Sequence, residues 1–202
     1  MKSFLRELAI TIGLALLIFL AYHAVAQTSV VEGSSMLPSL EDGQRLIVSK
    51  AAYFFATPQR GDVIIVHPPV DMQKEYVKRL IGLPGDIIQV KNSLVYVNGV
   101  PLKEPYIKAA PNYLMEPFTV PSDNYFVLGD NRNNSSDSHF GWTVTRENIV
   151  GEVWLRYWPF SGWGLIRGFP LSQELQNSGK LSTNQPQNFL SSAELFLDSR
   201  KG

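Results

Sequence analysis

The 202-residue sequence contains no cysteine, which removes disulfides, thiolate nucleophiles and zinc-thiolate sites together. Any nucleophile has to be an oxygen or an amine. Histidine is scarce too: His23, His67 and His139 are scattered without ligand spacing, so no metal and no cofactor are expected. There is no charge excess of either sign, with Lys+Arg and Asp+Glu both at 18, so no net field draws the chain to nucleic acid or an acidic polymer. No internal repeat is visible, and the length suits one ordinary domain with a small appendage.

Asp, Glu, Lys and Arg are all missing from Leu8 to Ala26, LAITIGLALLIFLAYHAVA. As a helix this run covers about 28 Å, close to the hydrocarbon thickness of a bilayer. Lys2 and Arg6 precede it and the first charge after it is Glu32, so the positive-inside bias puts residues 1–7 on the cytoplasmic side and everything beyond Ala26 on the other. A cleavable secretory signal has the same features, including a small-x-small ending at Ala24-Val25-Ala26. Both readings carry the rest of the chain across a membrane, and only a retained span tethers it. Tyr22 and His23 fall at the interface, where an amphipathic ring has a structural role.

Beyond the span the apolar runs are short and rich in Val, Ile, Tyr and Phe. They lie at 45–50, 62–68, 75–83, 86–90, 93–99, 124–129 and 148–158, separated by Gly, Pro, Asn and Asp. This pattern predicts a mainly β domain. Pro84-Gly85-Asp86 marks a turn, Lys91-Asn92-Ser93 a hairpin, and Asn98-Gly99 the end of a strand. Residues 100–122 hold five prolines and no sustained periodicity, so an extended surface loop is expected. The tail, residues 171–202, is rich in Ser, Asn, Gln and Leu; it reads as polar, peripheral and partly disordered, with a short helix at 191–199.

Three segments carry chemistry. Gly33 to Leu40, GSSMLPSL, begins seven residues after the apolar run, and Pro38 restricts the backbone near Ser35. Ser35 is the candidate nucleophile, although a serine in such a loop is ordinarily a turn residue. Glu75 to Asp86, EYVKRLIGLPGD, reads as a strand whose alternation puts Lys78, Leu80 and Gly82 on one face and Val77, Arg79 and Ile81 on the other. One of the two cations should face the core. A desolvated lysine loses its preference for the charged form and becomes a base for a serine hydroxyl; a solvated, snorkelling lysine is the ordinary alternative. Val127 to Gly141, VLGDNRNNSSDSHFG, packs short polar residues densely enough to satisfy one another, with Asp130, Arg132 and Asp137 able to pair within the loop or with Arg79. A hydroxyl from this loop could also orient the lysine amine.

In this order the segments resemble the type I signal peptidases, which remove signal peptides from exported preproteins. The resemblance covers the apolar span and most of 29–160, and rests on Ser-Met-Leu-Pro-Ser-Leu at 35–40, Arg60-Gly61-Asp62-Val63, Tyr76-Val77-Lys78-Arg79 with Gly82-Leu83-Pro84-Gly85-Asp86, and Gly129-Asp130-Asn131-Arg132 with Asn134-Ser135 and Asp137-Ser138. It implies a signal-peptidase-type β-barrel or sandwich-like domain at 27–170 outside the cytoplasm, behind a transmembrane anchor at 8–26, in the plasma membrane or an internal, thylakoid-type one. It implies Ser35 as nucleophile, Lys78 as general base, and Ser135 as the hydroxyl orienting that lysine. Asp137, Arg79, Asp130 and Arg132 would brace the site, Met36 and Tyr76 would stand near the substrate pockets, and preproteins with Ala-x-Ala-like signals would be the partners, met at the lipid bilayer.

Three positions depart from the family pattern. Gly33 stands where many members carry a serine that serves the oxyanion hole, so the backbone N–H of Ser35, with the Gly33 segment, has to do more. Asn133 stands in place of Asp and His139 in place of Arg, and the Asp-Ser-His version is similar to the photosynthetic-membrane branch. Two other functions remain: a Ser-His-Asp hydrolase using His139 with Asp130 or Asp137, and a tethered β domain that only binds extracytoplasmic partners.

Overall fold

The computed structural model describes residues 2–54, 56–171 and 175. Helix α1 runs from Lys2 to Val25, and its Ser3–Val25 stretch is the one described helix long and apolar enough to cross a membrane. None of that stretch is buried against the rest of the chain. The helix starts before the expected boundary at residue 8, because Phe4 to Glu7 contain no helix breaker and charge alone does not stop a helix. It also ends one residue early: Ala26 already belongs to β1.

Strands β1 (Ala26–Val30), β2 (Arg45–Ser49), β3 (Val63–Val66), β4 (Tyr76–Gly82), β5 (Ile87–Lys91), β6 (Leu94–Val97), β7 (Val100–Pro101), β8 (Met115–Thr119), β9 (Asn124–Leu128), β10 (Val144–Thr145), β11 (Ile149–Trp158) and β12 (Gly164–Leu165) make two antiparallel sheets. The mainly β expectation holds. The larger sheet has the order β1-β2-β11-β3-β4-β9-β10, with β12 on β11; the smaller has β7-β6-β5-β8. Each apolar run read from the sequence became one of these strands. The 100–122 segment is less irregular than expected, since β8 forms inside it against β5, where Ile87 pairs with Thr119 and Ile88 with Phe118.

Turn chemistry sets the smaller sheet. Asn92 and Ser93, then Asn98 and Gly99, sit at positive φ between directly paired residues, Lys91 with Leu94 and Val97 with Val100. Those are the two-residue hairpin turns whose twist suits flanking strands. Asp86 ties this sheet to the larger one: it accepts from Leu83 N at 2.6 Å and Asn98 Nδ2 at 2.9 Å, and pairs with Arg60 just before β3.

The core has three parts. Val31, Met36, Leu40, Leu46, Val48, Val63, Ile65, Val77 and Val153 pack on one face of the larger sheet. Ile64, Val66, Leu80, Val127, Val144 and Ile149 pack on the other, with Tyr53 and Tyr125. A third cluster, Ile81, Ile88, Val90, Val95, Val97, Phe126 and Leu128, joins the sheets and takes in Leu171. Leu171 was expected in a peripheral tail, but its side chain is fully buried there. The rest of that tail, including 191–199, lies outside the described residues except Leu175, which packs against the same cluster.

Candidate active site

Strand β4 is buried at every position from Val77 to Gly82, because β3 and β9 flank it and both faces are covered. One of Lys78 and Arg79 was expected to face the core; alternation separates their directions, and both are buried, only 3% and 4% exposed. A strand with two buried cations needs two sets of partners.

Lys78 points between Tyr76 and Leu80 toward a cleft of about 1030 Å³, where its Nζ donates to Ser35 Oγ at 2.8 Å. The Tyr76 ring lies 5.1 Å from Nζ. Burial lowers the lysine pKa to about 8, and the Asp137 and Asp130 charges keep it from falling further. The amine thus changes charge near neutrality, unlike a surface lysine.

Ser35 is held there by its neighbours. Met36 and Leu40 bury their side chains in the core, and Leu40 N closes a helical turn on Met36 O at 3.0 Å. The opposite side of the loop docks on 129–138: Asn131 N donates to Ser35 O at 2.9 Å, Asn131 Nδ2 to Ser34 O at 3.0 Å, and Ser39 Oγ to Asp130 Oδ2 at 2.5 Å. Gly129 makes this approach possible. A Cβ there would stand 2.3 Å from Ser135 Oγ and 2.5 Å from Ser35 O.

Arg79 forks onto Asp130 at 2.8 and 2.7 Å, donates to Gly61 O at 2.8 Å, and lies over the Tyr106 ring at 4.1 Å. Arg132 donates through Nε to Gly129 O and through its two terminal nitrogens to Glu104 at 2.8 and 2.6 Å. Burial opposes the Arg132 charge, but Glu104 more than compensates and its pKa is raised. Asp137 accepts from Gly129 N at 2.8 Å, from His139 N at 3.2 Å, and contacts His139 Nδ1 at 2.6 Å. The four side chains expected to brace the site thus lie in the loops and strand around Ser35 and Lys78, though Arg132 pairs with Glu104 instead of an acid in its own loop.

Two supporting residues differ from expectation. Ser135 borders the same cleft, but its Oγ is buried and makes no hydrogen bond to Lys78 or to any other described group. It lies against Gly129 instead. Gly33, expected to help hold an oxyanion, commits its N–H to Asp42 Oδ1 at 2.6 Å. Met36 is a core residue that touches the cleft floor, and Tyr76 is half-buried on its wall.

His139 also borders the cleft, stacked on Tyr113 with centroids 4.3 Å apart. Its Nδ1 contact with Asp137 is one that a Ser-His-Asp triad would also make, but the Ser35 hydroxyl bonds to Lys78 and not to His139, which argues against that alternative. Among the described residues no three His, Asp or Glu side chains gather as a metal site.

The model of the family "Signal peptidase, peptidase S26" matches residues 3–158. The chain belongs to this family. It is 44% identical over 162 residues to the signal peptidase I of Leptolyngbya laminosa, spanning 76% of this chain and 80% of that one. To the probable signal peptidase I-1 of Synechocystis it is 41% identical over 165 residues, 78% of this chain and 84% of that one. The signal peptidase I of Bacillus caldolyticus is 46% identical over 146 residues, 65% of this chain and 79% of that one. A crystal structure of a signal peptidase I from Enterococcus faecalis aligns at 34% identity with a TM-score of 0.42, over 48% of this chain and 97% of that one. The apolar α1 of this family member is compatible with anchoring by a single span.

Sequence reading missed Glu104, Asp42 and Tyr113. Glu104 and Tyr113 lie far along the chain from Arg132 and His139, and Asp42 reaches Gly33 across the loop that carries Ser35. Only the need of a fully buried guanidinium for a carboxylate would have pointed to Glu104, and only once Arg132 was known to be buried.

Proposed function

We propose that this signal peptidase is a membrane-bound serine endopeptidase that cuts exported preproteins after small-x-small sequences, with Ser35 as nucleophile and Lys78 as general base. The observation that carries the reading is the 2.8 Å contact between Lys78 Nζ and Ser35 Oγ, with the amine withdrawn from water. When Lys78 is neutral its lone pair accepts the Ser35 proton as Oγ attacks the scissile carbonyl. The Ser35 N–H, which donates to no other described group, lies next to the atom where negative charge develops. Protonated Lys78 then gives its proton to the leaving amine, and in the second half takes one from the water that hydrolyses the acyl-enzyme.

In this reading Asp137 holds the Gly129 backbone, and Arg79 with Asp130 holds the Ser39 end of the nucleophile loop. Ser135 takes up the lysine amine when Oγ is consumed in the acyl-enzyme, since its own hydroxyl otherwise stays buried without a partner. Met36 and Tyr76 border the pockets for the small side chains. The span carries residues 1–7 on the cytoplasmic side and residues 27–170 on the other, so that Ser35 meets scissile bonds near the bilayer surface.

A processing assay tests this directly. The full chain in detergent micelles should cut a precursor with an Ala-x-Ala site, while Ser35→Ala and Lys78→Ala leave it whole. Processing by either variant at the wild-type rate would overturn the assignment.

A further inference from the structure

Two positions that depart from the family pattern, Asn133 and His139, have no part in the reaction above. The structure joins them through one short segment, residues 110–113. Asn133, itself exposed, clips that segment twice: its Oδ1 accepts from Asn112 N at 2.8 Å and its Nδ2 donates to Ala110 O at 2.9 Å. The next residue, Tyr113, lays its ring on His139, with centroids 4.3 Å apart and planes 20° from parallel. An aspartate at 133 would keep the first of those bonds and lose the second, because a carboxylate cannot donate to a carbonyl.

The stack matters because of what the imidazole touches. A carboxylate only accepts, so the 2.6 Å contact with Asp137 Oδ1 puts a proton on His139 Nδ1. The other bond to that oxygen comes from His139 N and is longer, at 3.2 Å. The backbone bond survives any rotation of the side chain, whereas the ring bond needs the ring where it is. Phe140 also packs on it, at 3.9 Å between centroids, but Phe140 is exposed. Tyr113 packs against the core cluster that joins the two sheets, so it is the fixed neighbour. Burial keeps its hydroxyl neutral, and that hydroxyl bonds to no described group; the ring face is what Tyr113 contributes.

Asp137 in turn acts on the base. Lys78 is faced by Asp137 and Asp130 from residues 129–138 and by the Tyr76 ring of its own strand. Asp130 is already engaged by the Arg79 fork, and near Tyr113 the charges of Arg132 and Glu104 pair with each other. The Asp137 charge is therefore the one that His139 adjusts. A donor on a carboxylate offsets its charge; without that donor the carboxylate favours the protonated amine more strongly. We propose that Tyr113 is a positioning residue of the peptidase: clipped by Asn133 and stacked on His139, it holds the imidazole on Asp137 and keeps that carboxylate from tying up the Lys78 amine. The inference rests on Lys78 being the general base.

The test is the pH dependence of kcat/KM on an Ala-x-Ala precursor, with the full chain in micelles, from about pH 6 to about pH 10. Tyr113→Ala should move the midpoint of the rising limb up by about one unit. Activity then falls roughly tenfold at pH 7 and by less than about twofold at pH 10, with KM at the higher pH near that of wild type. Tyr113→Phe keeps the ring and should restore the midpoint. Asn133→Ala loosens the clip from the surface, leaves the core intact, and should shift the midpoint the same way by less. His139→Arg gives Asp137 a donor that is charged in any ring-free orientation, so adding Tyr113→Ala to it should move the midpoint no further. Wild-type midpoints in both Tyr113→Ala and Asn133→Ala would overturn the inference and leave the peptidase reading standing. So would a full alkaline shift on top of His139→Arg, or a loss confined to KM, which would make Tyr113 a substrate contact. A wild-type chain that leaves the precursor whole would overturn the peptidase reading and this inference with it.

Discussion

Arg79 and Asp130 meet through two parallel hydrogen bonds at 2.8 and 2.7 Å, with both side chains withdrawn from solvent. The same carboxylate receives Ser39 Oγ from the loop that carries Ser35, so the pair joins that loop to the sheet. Asp130→Ala strands a buried guanidinium and should cost about 3–5 kcal/mol. Arg79→Lys keeps the charge but loses the fork, and should fall between wild type and Asp130→Ala. Thermal unfolding of the full chain in micelles, followed by tryptophan fluorescence, measures both. A loss for Asp130→Ala within that of an ordinary surface substitution would refute the bracing role.

Activity should rise with pH. In the proposed reaction Lys78 can serve as base only when neutral, and burial puts its pKa at about 8, so kcat/KM should climb through neutrality and level off above pH 8. A free lysine would still be almost wholly protonated at that pH. A pH profile that levels off below pH 6, or still climbs at pH 10, would contradict the assignment.

Stability should move the other way when Lys78 is replaced. The folded pKa, about 8, lies below the unfolded one near 10.4, so the unfolded chain binds the extra proton between those values and wild-type stability rises with pH across that window. Below the window the buried ammonium opposes folding by on the order of 3 kcal/mol. Lys78→Met should therefore stabilise the inactive protein at pH 7, and the gain should vanish as pH approaches 10.4. Chemical denaturation at pH 7 and pH 10 distinguishes this from a lysine that contributes to stability, for which Lys78→Met would be destabilising at both.

Gly129→Ala should lower kcat sharply. Its Cβ would push on Ser135 Oγ and Ser35 O, and a displacement of about 1 Å at a nucleophile is worth roughly a hundredfold in rate. Because the second contact is backbone, adding Ser135→Ala should not restore activity. Recovery in the double variant would place the crowding on the serine side chain alone.

Much of this was legible in the sequence because the signals were local. Val63–Val66 and Ile87–Lys91 are short β-branched or aliphatic runs bounded by turn residues, and became strands where expected. Asn92-Ser93 and Asn98-Gly99 fixed two hairpins by backbone conformation alone. The misses were long-range. Met115–Thr119 reads as loop because Pro117 sits in it, yet an edge position tolerates proline, and β8 is the edge of its sheet. The double burial of Lys78 and Arg79 depends on what covers each face of β4, which no local pattern records. The partners of Gly33 and Arg132, Asp42 and Glu104, are set by loop docking, and the unbonded Ser135 hydroxyl by a side-chain rotation. A resemblance in motif order named the residues; only the packing could say which of their hydrogen-bonding groups were already engaged.

Met36 and Leu40, on either side of the Pro38 turn beside Ser35, are core residues. Their burial means that the loop carrying Ser35, the proposed nucleophile, loses its freedom when the chain folds, not when a substrate arrives. A preprotein that docks in the cleft then has no loop to order, and the entropy of positioning the attacking oxygen falls on folding instead of on binding. Heat should accordingly abolish catalysis and tertiary structure in a single transition, with no active-site melting beforehand.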